Sequence, residues 1–199
     1  MRPSGRNDMK TLYVATHNEH KIKEIGEILA DWTIIPDNPE GAEESADTFV
    51  GNALIKVRAI AARHMGAWCL ADDSGLEVDA LGGAPGVRSA RYSGEGATNK
   101  SNNDLLLKNL DGVQNRRADF ACAIAIVTPT GEERTTVARV WGRIAEAPRG
   151  VEGFGYDPLF VPDGFEKSYA ELTAEEKNAI SHRGQALKRA REILVDDVL

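Results

Sequence analysis

The stretch Trp68-Cys69-Leu70-Ala71-Asp72-Asp73-Ser74-Gly75-Leu76 decides how the chain is read. Its first four residues are apolar and read as a short buried strand, which two carboxylates followed by Ser-Gly then end. A buried carboxylate costs several kcal/mol unless a cation or hydrogen-bond donors meet it. In α/β sheets, ligands sit beyond the carboxyl ends of strands. Asp72 and Asp73 are therefore expected to form a divalent-metal and water-activating site. A plain acidic turn is the duller alternative, and it fits poorly directly after an apolar run.

Outward from this strand, the chain alternates strands and helices. Thr11 to Thr16 reads as strand one, His17 to Lys21 as a turn, and a helix follows to about Leu29 with Ile22, Ile25 and Ile28/Leu29 on one face. Trp32 to Ile35 reads as a strand stopped by Pro36, before a loop rich in Pro, Gly and acid that carries Glu43 and Glu44. Asp47 or Thr48 is placed to cap a helix over about 49–63, weakened in its first turn by Gly51 and Asn52. Leu76 to Leu81 reads as a separate alternating strand and Asn99 to Leu110 as a helix. Phe120, Cys122, Ile124 and Ile126 alternate with small residues in a long strand, which Thr130-Gly131 turns into a second, from about Arg134 to Ala145. Leu159 to Val161 reads as a last strand. Thr173-Ala174-Glu175-Glu176 fits a capping box, and Ser181 can cap a final helix whose core face holds Leu187, Ala190 and Leu194.

The chain has 199 residues, 42% hydrophobic and 28% charged, enough for one globular domain over residues 11–199. Residues 1–10 carry positive charge but no apolar core of a signal peptide and read as a disordered leader, with Met9 an alternative start. A net charge of −7 argues against a nucleic-acid partner, whereas an anionic ligand carried with Mg2+ is compatible with it. The apolar runs fall short of the ~20 residues of a membrane helix. Two cysteines in apolar runs, Cys69 and Cys122, point to a reducing cytoplasm.

Three further constellations carry chemistry. Thr16-His17-Asn18-Glu19-His20-Lys21, between a strand and a helix, offers an anion site: helix N–H groups, neutral donors on Thr16 and Asn18, and a cation on Lys21. It equally fits an ordinary capped turn with Asn18 as N-cap. Phe154-Gly155-Tyr156-Asp157 sets an aromatic for stacking beside an acid that could accept from a base edge, or it is a turn with Phe154 in the core. Lys177 and Ser181-His182-Arg183 are polar residues at helix starts that read as surface when taken alone.

In order, these stretches resemble the inosine triphosphate pyrophosphatases, the non-standard purine (XTP/dITP) pyrophosphatases. The resemblance rests on THNEHK, AEES with TFVGNA, LADDSGLEVDALGGAPGVRSARYSGE, GFGYDPLF and AELTAEEKNAISHRGQAL. It implies an α/β fold: a long twisted mixed β-sheet flanked by helices in two lobes with a central cleft, usually in a homodimer. It also implies Mg2+-dependent hydrolysis of ITP, dITP and XTP to the monophosphate and pyrophosphate. Under it, Asp73 is proton acceptor and metal ligand, and Ser74 touches substrate. Glu43 is the second metal ligand, with Glu44 the alternative. Thr16 to Lys21 hold phosphates, and Phe154, Gly155, Tyr156, Asp157, Lys177, His182 and Arg183 hold the nucleotide. Asp72 is expected to shape the metal's surroundings. An acceptor on Asp157 and a donor on Arg183 would pair with hypoxanthine or xanthine and clash with adenine. Two departures from the family pattern, His17 and Gly51, put turn geometry and helix stability in question. The rival readings are a metal-independent aspartic-type hydrolase, which needs a facing second Asp, and a non-catalytic nucleotide-binding module.

Overall fold

The computed structural model of the protein describes residues 10–196, so residues 1–9 of the expected leader lie outside the described residues. Lys10 does not belong to that leader, because it pairs with Trp32 in the first strand. The described elements are β1 (Lys10–Ala15), α1 (Glu19–Ile28), β2 (Trp32–Asp37), α2 (Phe49–Ala61), β3 (Trp68–Val78), α3 (Asn99–Asn109), β4 (Arg117–Val127), β5 (Glu133–Ile144), β6 (Phe160–Pro162), α4 (Ala174–Ile180) and α5 (His182–Asp196).

One sheet runs in the order β2-β1-β3-β4-β5-β6. The β1 pairings to β2 and β3 are parallel and the remaining pairings antiparallel, so the sheet is mixed. Strand β2 is an edge, which is why Pro36 sits inside it instead of stopping it: its missing N–H costs no ladder bond on the open side.

The larger correction concerns the decisive stretch. β3 does not end at Asp72 but runs for 11 residues from Trp68 to Val78, paired with β4 from Cys69 onward. Ser-Gly is therefore not a turn. Gly75 is there for close approach: a Cβ would fall 2.5 Å from both the Gly86 carbonyl and Ser89 Oγ, and 2.8 Å from Phe49. The strand that ends beside the acidic pair is β1, which stops at Ala15 while β3 carries on beside it.

The long strands β3, β4 and β5 carry three cores. On one face Leu70, Cys122, Ile124 and Ile126 pack on Ile25, Leu29, Leu187, Ala190 and Leu194, the apolar sides of α1 and α5. On the other face Ala71, Ala121, Ala123 and Ala125 pack on Phe49, Ala53, Val57 and Ile60 of α2. The small residues on that side let α2 lie close to the sheet. Farther along, Leu76, Val78, Phe120, Phe160 and Tyr169 join Leu106 of α3 and Leu110 at its C-cap in a third core. The helix ends follow the sequence: Asn18, Thr48 and Thr173 cap α1, α2 and α4, and Ser181 Oγ accepts the Gly184 amide at the start of α5. Every described non-glycine residue keeps negative φ, so His17 brings no strain to its turn.

Candidate active site

A cleft of about 200 Å³ opens between the first two cores and the third. Because side chains alternate along a strand, Asp72 and Asp73 face opposite sides of the sheet. Asp72, only 1% exposed, faces α1 and α5. Arg183 reaches its Oδ2 through Nε at 3.2 Å and an Nη at 3.1 Å, and Lys21 reaches its Oδ1 at 3.1 Å. Burial alone would raise its pKa, but Lys21, Arg183 and Lys56 outweigh that and hold the carboxyl well below the aspartate range. Asp72 thus serves as a fixed anion for two cations on the opposite face from Asp73.

Asp73 faces α2 and the cleft, 7% exposed. Lys56 Nζ lies 3.0 Å from Oδ1 and Asn52 Nδ2 lies 3.3 Å from Oδ2. Burial pushes its pKa up; the neighbouring Lys56 offsets only part of this, and Glu44 adds to the rise. A carboxylate with a raised pKa, in a cleft and beside a cation, is suited to accept a proton. The two aspartates form no acid dyad within the chain, since they point apart.

Glu44, not Glu43, completes this corner. Glu44 lines the cleft and pairs with Lys56 Nζ at 2.8 Å, while Glu43 is exposed on the other side of the extended loop. Lys56 therefore sits between two carboxylates, 94% buried, its own pKa raised by Asp73, Asp72 and Glu44 against the pull of burial. This is a place built for positive charge. Its donors are hard carboxylate oxygens, which suit Mg2+, an ion that takes one or two carboxylates and fills its shell with water and phosphate. Among the described residues no group of three or more His, Cys, Asp or Glu side chains converges on a metal position, so phosphates and water would have to supply the remaining ligands.

At the α1 end, only Asn18 and Lys21 of the expected six-residue anion loop line the cleft. Thr16 is buried and accepts the Asn18 amide at 3.1 Å, and His17 and Glu19 are exposed. Asn18 Oδ1 caps the amides of His20 and Lys21 at 3.0 and 3.3 Å, so these two N–H groups serve the helix and are not offered to an anion. His20 instead stacks on Phe154 with ring centroids 4.9 Å apart.

The far end of the cleft holds Phe154, Gly155, Tyr156, Asp157, Lys177, His182 and Arg183. Most are already partnered. Asp157 Oδ2 accepts from Lys177 Nζ at 2.7 Å and from the Phe154 amide at 2.9 Å. Tyr156 is buried and donates its OH to the Ser89 carbonyl. Besides Asp72, Arg183 donates to Glu24 at 2.6 Å and to Ser74 Oγ at 2.8 Å. Lys177 also pairs with Glu24, at 2.7 Å. The expected base readers are thus also part of an ion-pair network: Asp157 Oδ2 and the Arg183 guanidinium have protein partners, and both residues line the cleft. His182 differs: its buried Nδ1 has no partner, and burial with Arg183 and Lys177 nearby drives its pKa well down, leaving a neutral ring facing the cleft.

Lys56, Asn52 and Glu24 are site residues that the sequence reading passed over. A signal was present for the first two. They stand four apart on α2, beside the apolar face at Phe49, Ala53, Val57 and Ile60, where a lysine and an asparagine are out of place.

Comparison with known proteins places this geometry in context. A model of the Ham1 family matches residues 12–193. A dITP/XTP pyrophosphatase of Exiguobacterium sp. is 46% identical, over 89% of this chain and 93% of the relative. One from Bacillus subtilis is 44% identical, over 94% and 98%. The structure of the Staphylococcus aureus Ham1 protein superposes with a TM-score of 0.84 at 38% identity, covering 94% of this chain and all of the other. A nucleoside-triphosphatase, dITP/XTP pyrophosphatase, from Mycobacterium abscessus superposes at 0.72 with 44% identity, over 90% and 98%.

Proposed function

The chain belongs to the Ham1 family, and on that premise we propose that it is a nucleoside triphosphate pyrophosphatase that hydrolyses dITP, XTP and ITP to the monophosphate and pyrophosphate. The observation that carries this reading is Asp73: a buried carboxylate with a raised pKa, in a cleft whose other end is lined by an aromatic ring, a neutral histidine and buried cations.

Water attacks the α-phosphorus and passes its proton to Asp73, while the bond from that phosphorus to the bridging oxygen breaks and pyrophosphate leaves. Lys21 and Lys56, both lining the cleft, draw in the phosphates. Asp73 and Glu44 would hold Mg2+, which when bound neutralises charge on the leaving group and acidifies water. His182 presents a neutral ring to the nucleotide. Phe154 offers a ring to the base once His20 moves aside.

The protein is proposed to act in the cytoplasm as a homodimer. In support, both cysteines are free and buried, and no helix among the described residues is long and apolar enough to cross a membrane. Trp141, Phe165 and Val151 are exposed apolar surface that a second copy would cover; light scattering on the purified protein reports the mass.

Product analysis tests the activity. Incubation with dITP, XTP, ITP, GTP and ATP, with Mg2+ or with EDTA, should release pyrophosphate from the first three far faster than from the last two, and only with the metal. Orthophosphate with a diphosphate would move the cut and overturn the proposal. Turnover in EDTA would remove Mg2+ from it.

A further inference from the structure

Gly51 and Asn52 occupy the first turn of α2, and both are poor helix formers. One neighbour accounts for both: the acidic loop that carries Glu44. Asn52 is wholly buried. Its Oδ1 accepts the Ala46 amide at 3.0 Å, two residues past Glu44, and its Nδ2 donates to Asp73 Oδ2. A single side-chain amide thus ties the loop to the strand. Gly51 stands against the same residue, since a Cβ there would fall 2.6 Å from Ala46 Cβ and 3.0 Å from Thr48 Oγ1. Its bare Cα leaves Ala46 room beside Asn52.

We propose that Asn52 is a positioning residue that sets the separation of the Glu44 and Asp73 carboxylates, with Gly51 providing the clearance that lets the loop reach it. This rests on the reading of the cleft as a pyrophosphatase site. The task needs an acceptor for a backbone N–H and a donor for a carboxylate on one short, uncharged group, and an amide supplies both. Lys56 touches the same two carboxylates, but its ammonium has three equivalent donors on a flexible stem and fixes no direction.

The test compares wild type with Asn52→Ala, Asn52→Asp and Gly51→Ala, reading dITP turnover and thermal melting. A misplacement of about 1 Å in catalytic geometry costs on the order of 10²-fold. Asn52→Ala should lower kcat by about 10- to 100-fold with KM moved less than about threefold. Asn52→Asp keeps the acceptor for Ala46 but loses the donor to Asp73, and should be no better. Gly51→Ala improves helix propensity but presses its Cβ on Ala46; the clamp predicts a fall in kcat of at least about fivefold, more than the unfolded fraction at the assay temperature accounts for. Variants within about twofold of wild-type kcat, or losses that match the unfolded fraction, would overturn the clamp. If wild type turns over no triphosphate, the functional reading itself fails. The clamp is then decided by hydrogen exchange at the Ala46 amide: faster exchange in Asn52→Ala, with the rest of α2 unchanged, upholds the tie, and unchanged exchange overturns it.

Discussion

Asp72 and Asp73 are adjacent in sequence and opposite in circumstance. Asp72 receives a two-point contact from Arg183 and a lysine contact, and its pKa is lowered; Asp73 shares one ammonium with Glu44, and its pKa is raised. Burial is heavy on both sides, so burial alone does not separate them. The count of cations per carboxylate does. The pleat of β3 assigns one carboxylate to tie α1 and α5 to the sheet and leaves the other under-compensated at the cleft, where a proton acceptor is useful.

This contrast breaks down if the two residues respond alike to the same substitution. Asp73→Asn should cost about 10²- to 10⁴-fold in kcat, the range for a lost general base, with the fold intact. Near-wild-type turnover would remove Asp73 from the chemistry. Asp72→Asn should cost about 3–5 kcal/mol of stability, because it strands Arg183 and Lys21 beside a neutral group in a buried site. Urea unfolding of the two variants side by side measures this.

Acidity sharpens the comparison. A lowered folded-state pKa means that Asp72's stabilisation is in place above the unfolded value, and is lost as pH falls through the folded one. A raised folded-state pKa means that ionised Asp73 costs stability, in full once pH exceeds that folded value. At neutral pH, Asp73→Asn should therefore melt no lower than wild type, and any advantage should shrink as pH falls below the folded-state pKa and be gone below the unfolded value. The deficit of Asp72→Asn should persist to lower pH. Smallest of all, Asn18→Ala removes the cap of α1, the helix that carries Lys21 to Asp72, and should cost about 1 kcal/mol on thermal melting.

Much of this was legible in the sequence, because the legible parts are local. Alternation in β4 and β5, the Thr173 capping box and the core face of α5 all follow from short-range periodicity, and each stands where the pattern puts it. The decisive stretch misled because Ser-Gly is turn punctuation locally, while Gly75 answers to Gly86 and Phe49, distant in the chain. Glu43 and Glu44 are indistinguishable in composition; only the path of the loop against Lys56 separates them. The partners of Asp157 and Arg183, namely Lys177, Glu24 and Asp72, come from different elements, so their ion-pair network is not legible locally. Pro36 falls inside β2 for a related reason, since a strand's place at the edge of its sheet is not written in the strand.

The most direct measurement runs dITP turnover with Mg2+ in ¹⁸O-labelled water and follows the label by phosphorus NMR. Attack at the α-phosphorus, with Asp73 taking the proton, predicts ¹⁸O in the monophosphate alone. Label in pyrophosphate or in orthophosphate would place the attacked atom elsewhere and contradict the account.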